Sequence, residues 1–177
     1  MAYNINLSRV RNAVGTTSNY ELTETTLDLG SQLQITKPIR ISLMITNNGR
    51  ILELKGFVNT EIESACGRCL EKVTIPINAV IEEELLYFAD ARYLENLTQD
   101  EIEERFLIFD NDLLDLRNVI RESILIALPY KVLCSDDCLG LCIKCGQNLN
   151  KQKCNCKIEE IDPRLAVLAK LKGIEEV

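Results

Sequence analysis

From Ile35 to Phe88, apolar and polar residues alternate with a period of two, and the apolar positions are rich in β-branched side chains. That period places every second residue on one face of a pleated strand, so the segment predicts strands with one buried face. Ile41, Leu43 and Ile45 share one face, Leu52, Leu54, Val58 and Ile62 form the next apolar run, and Val73, Ile75, Ile77 and Ile81 line a return strand. Asn47-Asn48-Gly49 separates the first two runs. Asn and Gly accept the positive φ of a tight hairpin, so a turn is predicted there. Gly56, inside the second run, predicts a bulge. A second hairpin is expected to turn at Ala65-Cys66-Gly67-Arg68-Cys69.

The period changes beyond Phe88. Residues 89–105 form a polar connection with some helical tendency, and Phe106-Leu107-Ile108-Phe109 reads as a strand. Leu116, Val119, Ile120, Ser123, Ile124, Ala127 and Leu128 recur at helical spacing, with Asp112 or Asp115 as the cap and Pro129 as the stop. This helix should bury its apolar stripe on one side of the sheet. Near the end, Asp162 and Pro163 open a short amphipathic helix carrying Leu165, Leu168, Ala169 and Leu171. So short a helix is marginal alone, and docking on its own domain is expected. The predicted fold is α+β: a twisted antiparallel β-sheet or partly open barrel with a packed helix, a Cys-rich zinc loop and a short C-terminal helix. The expected division is an antiparallel β domain with its covering helix over residues 1–133, then a Cys-rich zinc-binding segment with the last helix over 134–177.

Candidate chemistry concentrates in one stretch. Cys134, Cys138, Cys142, Cys145, Cys154 and Cys156 fall within 23 residues, and the chain contains no histidine. A structural metal site here must therefore be built from thiolates, and zinc favours four such soft ligands in a tetrahedron. Leu141-Cys142-Ile143-Lys144-Cys145-Gly146 has the close pairing of a zinc knuckle. The expected ligands are Cys142 and Cys145, joined by two of Cys134, Cys138, Cys154 and Cys156. If the turn carrying Cys66 and Cys69 folds against the later cluster, the eight cysteines can make a second tetrathiolate site.

Three other uses of the cysteines compete: a disulfide framework, a redox or nucleophilic thiol at Cys66 or Cys69, and thiols packed as small hydrophobes. The first twelve residues lack the apolar core of a secretory signal, and a run such as Ile124 to Leu128 is far too short to span a bilayer. A cytoplasmic chain with reduced thiols and no membrane contact is expected. The redox reading is weakened because the CxxC lies between strand patterns rather than opening a helix. Arg68 would lower the thiolate pKa in either case.

The formal charge is −7, so the protein as a whole repels phosphates. Glu82, Glu83, Glu84, Asp90, Glu95, Asp100, Glu101, Glu103 and Glu104 crowd the middle. Between Cys138 and Lys157 the balance inverts: Lys144, Lys151, Lys153 and Lys157 occur with no carboxylate, which makes them candidate RNA contacts. The absence of histidine removes Ser-His-Asp and Cys-His pairs, and neither a phosphate-binding GxxxxGK[ST] loop nor a GxGxxG after a strand is present. A zinc closed by four cysteines also lacks the open position of a catalytic metal. The residues thus point to a non-enzyme with no evident small-molecule substrate.

Four segments, in order along the chain, resemble the YceD family of large ribosomal RNA subunit accumulation proteins. They are Cys66-Gly67-Arg68-Cys69-Leu70, Asp115 through Pro129, Cys134 through Cys156, and Asp162 through Lys172. The resemblance implies a non-enzymatic ribosome biogenesis factor that supports accumulation of large-subunit (23S) ribosomal RNA, by binding an rRNA precursor or a ribosomal protein. It defines no catalytic site. Some members of that family lack the second cysteine cluster, which implies zinc as a fold staple in this branch. Two other classes remain in view: a protein-only adaptor whose acidic belt over 82–104 holds a basic ribosomal protein, and a thiol redox protein using Cys66 and Cys69.

Overall fold

The computed structural model describes residues 3–94 and 96–156. Along the chain run β1 (Asn4–Asn6), α1 (Ser8–Arg11), β2 (Thr17–Glu24), β3 (Gln34–Asn47), β4 (Ile51–Ala65) and β5 (Lys72–Tyr87). A 3-10 turn (Phe88–Tyr93), α2 (Gln99–Arg105), β6 (Leu107–Phe109), β7 (Leu113–Asp115) and α3 (Arg117–Ile126) follow. By contacts the chain divides into one unit of residues 1–67 with 71–134 and another of 68–70 with 135–177. The expected C-terminal helix from Asp162, together with Lys157 and Glu95, lies outside the described residues.

The first unit is α+β, built on an open sheet of order β2-β3-β4-β5-β6. Its first four strands pair antiparallel, and β6 joins β5 in parallel, so the sheet is mixed rather than purely antiparallel. β1 and β7 form a separate two-stranded ladder. The period of two does what it predicts. Ile41, Leu43 and Ile45 from β3, Leu52, Leu54, Val58 and Ile62 from β4, and Ile75, Ile77 and Ile81 from β5 are all buried in one core. Each such side chain contributes about 1.5–3 kcal/mol of transfer free energy. Leu116, Val119, Ile120 and Ile124 bury the helical stripe in that core.

The caps and turns correct several expectations. Asn47 and Gly49 do make the β3–β4 turn, Gly49 at φ +112° with its N–H donating to Asn47 Oδ1 at 2.8 Å. Asn47 is also fully buried, and its Nδ2 donates to the carbonyls of Val10 and Arg11 at 2.8 and 2.9 Å, satisfying the end of α1. Gly56 is not a bulge: it pairs in register with Leu43 and Ile81. The shifts in pairing fall instead between Ile35 and Arg40, around Pro38, which has no N–H to give a ladder.

α3 begins one residue later than a capping aspartate would place it. Leu116 occupies the cap, and Asp115 Oδ1 accepts from the N–H of Arg117 at 2.9 Å. Asp112 sits in the turn before β7 at φ +56° and pairs with Arg11 at 3.0 Å. The polar connection holds a capping box that the sequence reading did not assign: Glu101 N–H donates to Thr98 Oγ1, and Thr98 N–H to Glu101 Oε2. Among the described residues no helix is long and apolar enough to cross a membrane.

Candidate metal centres

No disulfide joins any of the eight cysteines, and they sort into two groups of four. Cys66, Cys69, Cys134 and Cys138 form one group, and Cys142, Cys145, Cys154 and Cys156 the other. Within each, the four sulfurs lie within 4.8 Å of one another.

Local hydrogen bonds place the sulfurs of the first group. β4 ends at Ala65, and Cys66 N–H donates to the Glu71 carbonyl at 2.8 Å, closing the turn, with Leu70 held at φ +61°. Gly67 N–H donates to the Val132 carbonyl at 2.8 Å, and Cys134 N–H donates to Cys66 Sγ at 3.4 Å. Amides aimed at sulfur favour the thiolate, the form that binds metal. Around Cys138, Arg68 Nη1 donates to the carbonyls of Cys138 and Asp136 at 2.9 and 3.1 Å. Asn150 Nδ2 donates to Cys138 Sγ at 3.3 Å, while its Oδ1 accepts from Leu139 N–H at 2.8 Å. Gly140, at φ +76°, would bring a Cβ to 3.2 Å of the Arg68 carbonyl, so only glycine fits there without strain.

The second group lies on a tight loop. Cys142 N–H donates to the Gln147 carbonyl at 2.8 Å and Gly146 N–H to the Cys142 carbonyl at 2.9 Å, with Gly146 at φ +71°. Leu141 and Asn148 form a single antiparallel bridge, and Leu149 N–H donates to the Gly140 carbonyl at 2.9 Å. The N–H groups of Cys145 and Lys144 draw the Cys142 thiol down to about 6. The neighbouring Cys145 sulfur pushes Cys156 up to about 12. Four sulfurs this close resist ionising together, and a bound divalent cation is what lets a full thiolate set form. An all-sulfur donor set with no carboxylate or imidazole suits a soft, tetrahedral ion.

Cys142 and Cys145 are thus grouped with Cys154 and Cys156, whereas Cys134 and Cys138 are grouped with Cys66 and Cys69. Lys144, Lys151 and Lys153 are exposed. Arg68, Gly140 and Asn150 are supports that the sequence reading did not assign. The Asn148-x-Asn150 spacing was a readable signal, because Asn150 N–H donates to Asn148 Oδ1 at 3.0 Å in an Asx turn.

A family model described as large ribosomal RNA subunit accumulation protein YceD matches residues 54–172. The chain is 27% identical over 156 residues to a chloroplastic large ribosomal RNA subunit accumulation protein YCED homolog 1 of Arabidopsis thaliana, covering 76% of this chain and 49% of that protein. It is 31% identical over 120 residues to an uncharacterized protein of Mycobacterium tuberculosis, covering 68% of this chain and 55% of the relative. To the uncharacterized protein YlbN of Bacillus subtilis it is 25% identical over 152 residues, or 85% of this chain and 83% of that one. The chain spans about half the length of the first two relatives. No solved structure matches it. With the model spanning the second hairpin, α3 and both cysteine groups, the chain belongs to the YceD family.

Proposed function

We propose that this chain is a non-catalytic factor in ribosome biogenesis that supports accumulation of large-subunit ribosomal RNA, with zinc in both four-cysteine groups as structural staples. The observation that carries the reading is the family match over residues 54–172, which includes all eight cysteines. In this reading the β-rich residues up to 133 are the scaffold, and the Cys-rich segment offers Lys144, Lys151 and Lys153 to RNA phosphates. Charge sets a condition on that surface. The zinc held by Cys142, Cys145, Cys154 and Cys156, on the same loop as the lysines, carries a formal charge of about −2, and the three lysines outweigh that one site only narrowly. Phosphate contact therefore depends on all three acting together.

Deleting the gene for this chain should lower the ratio of large- to small-subunit ribosomal RNA, with restoration by the wild-type chain. Replacing Lys144, Lys151 and Lys153 together with serine should abolish that rescue. In vitro, if each lysine meets one phosphate of single-stranded RNA, the triple variant should lower the slope of log affinity against log salt by about 2. An unchanged rRNA ratio on deletion would overturn the functional reading. A triple variant that binds RNA normally, or that loses zinc instead of RNA, would assign the lysines to charge balance at the metal.

A second reading takes a basic ribosomal protein as the direct ligand. It is favoured by the acidic surface, where Glu82, Asp100, Glu103 and Glu104 are exposed.

A further inference from the structure

The solvent side of the sheet carries an apolar island that the core does not require. Strand register sets Glu21, Ser42, Phe57 and Val80 in one row across β2 to β5, and Asn19, Met44, Lys55 and Glu82 in the next. Phe57 and Val80 are each 59% exposed and Met44 44%. Alternation predicts polar residues at such positions, so three large apolar side chains in adjacent rows are an exception that invites a partner. Together these rows line a shallow groove of about 460 Å³.

Charge decides what fits the groove. Glu21 stands on β2 at one rim and Glu82 on β5 at the other. Three inter-strand gaps separate them, or roughly 14 Å at the usual strand spacing. Lys55, the cation between the rims, has its Nζ 2.5 Å from Glu53 Oε1, so its charge is already matched. Glu21 Oε2 accepts from the Ser42 hydroxyl at 2.8 Å, a partner that brings no cation to that rim. An apolar floor between two carboxylate rims is complementary to a helix about 10–12 Å across with an apolar stripe and cationic flanks. A second copy of this face would set carboxylate against carboxylate, and an RNA backbone would meet the same repulsion. The formal charge of −7 also draws a basic partner from a distance.

We propose that the outward face of β2 to β5 docks a basic amphipathic helix of a partner protein, with its apolar stripe on Met44, Phe57 and Val80 and its Lys or Arg flanks against Glu21 and Glu82. The inference goes beyond the reading above, since it uses neither the cysteines nor the lysines and stands or falls separately from them.

Fluorescence anisotropy on the full chain tests it, with a labelled peptide of about 20 residues whose leucines form one helical stripe between rows of lysine. The controls are the same composition scrambled, polylysine and a single-stranded RNA of similar length. The striped peptide should bind at least tenfold more tightly than the scrambled one. Phe57→Ser should weaken it about tenfold, as loss of a central aromatic anchor does. Glu21→Gln with Glu82→Gln should weaken it and flatten its salt dependence. All three side chains are exposed, and a urea midpoint confirms that each variant folds. Equal binding of striped and scrambled peptides, or indifference to Phe57→Ser, would overturn the proposal. So would RNA that the peptide displaces from this face, or a dimer that Phe57→Ser dissolves.

Discussion

Chelating the metal should melt the loop from Ser135 to Cys156 while the five-stranded sheet persists. The buried residues of that stretch are Cys138, Gly140 and Cys142, with no large apolar side chain among them. Its backbone hydrogen bonds close turns a few residues wide, such as Cys142 N–H to the Gln147 carbonyl and Gly146 N–H to the Cys142 carbonyl. Such turns do not offset the entropy of ordering the chain, at about 1–2 kcal/mol per residue. In small zinc domains the apparent free energy of metal binding, on the order of 10 kcal/mol after the ordering of the chain is included, is what drives folding. Hydrogen exchange should therefore show the amides of Cys142, Gly146 and Leu149 losing protection on chelation, with those of Ile41, Leu54 and Ile77 unchanged. Cys142→Ser should reproduce the effect at its own loop. Retained protection in the metal-free loop would mean that something other than sulfur and metal holds it.

The second large effect is expected at Gly56. A Cβ added there would lie 2.4 Å from the Ser42 carbonyl oxygen and 2.5 Å from Leu43 Cδ2, well inside van der Waals contact. The carbonyl belongs to the β3 ladder and cannot withdraw without breaking strand pairing, and Leu43 is 3% exposed in the core. Gly56→Ala should cost about 3 kcal/mol, at the upper end for overpacking, and Gly56→Val more. The urea midpoint should fall with the slope of the transition unchanged. A midpoint equal to wild type would show that the strands can separate at this row at little cost.

These two positions also show what the sequence could disclose. The strands β3, β4 and β5 were legible because burial on one face forces a contrast between neighbours, as in Arg40-Ile41-Ser42-Leu43. β2 was not, since its half-buried positions alternate Ser18, Tyr20, Leu22 and Glu24, of which only two are apolar, against an exposed face that is polar throughout. β6 was legible as the apolar run Phe106-Leu107-Ile108-Phe109, but three residues display no period, so its parallel pairing with Leu85–Tyr87 was not. Gly56 announced an exception without revealing which, because a bulge and a close approach of side chain to backbone both exclude a Cβ.

The cysteines divide in the same way. Spacing joins Cys66 to Cys69 and Cys142 to Cys145, because two intervening residues can turn both sulfurs to one point. It is silent on which pair completes each set, since Cys134 follows Cys69 by 65 residues of sheet and helix. Cys138 and Cys142 are four apart yet fall in different groups, separated by Gly140 in its left-handed conformation. Arg68 was read as a charge near the thiols; its guanidinium also ties two carbonyls beside Cys138, a contact visible only in the folded chain.

Metal content per chain, measured on protein purified without added metal and paired with a thiol titration, tests the account most directly. Two zinc ions per chain are predicted, falling to one in Cys142→Ser and to one in Cys66→Ser. A single ion in the wild-type chain, or eight titratable thiols with none, would contradict it.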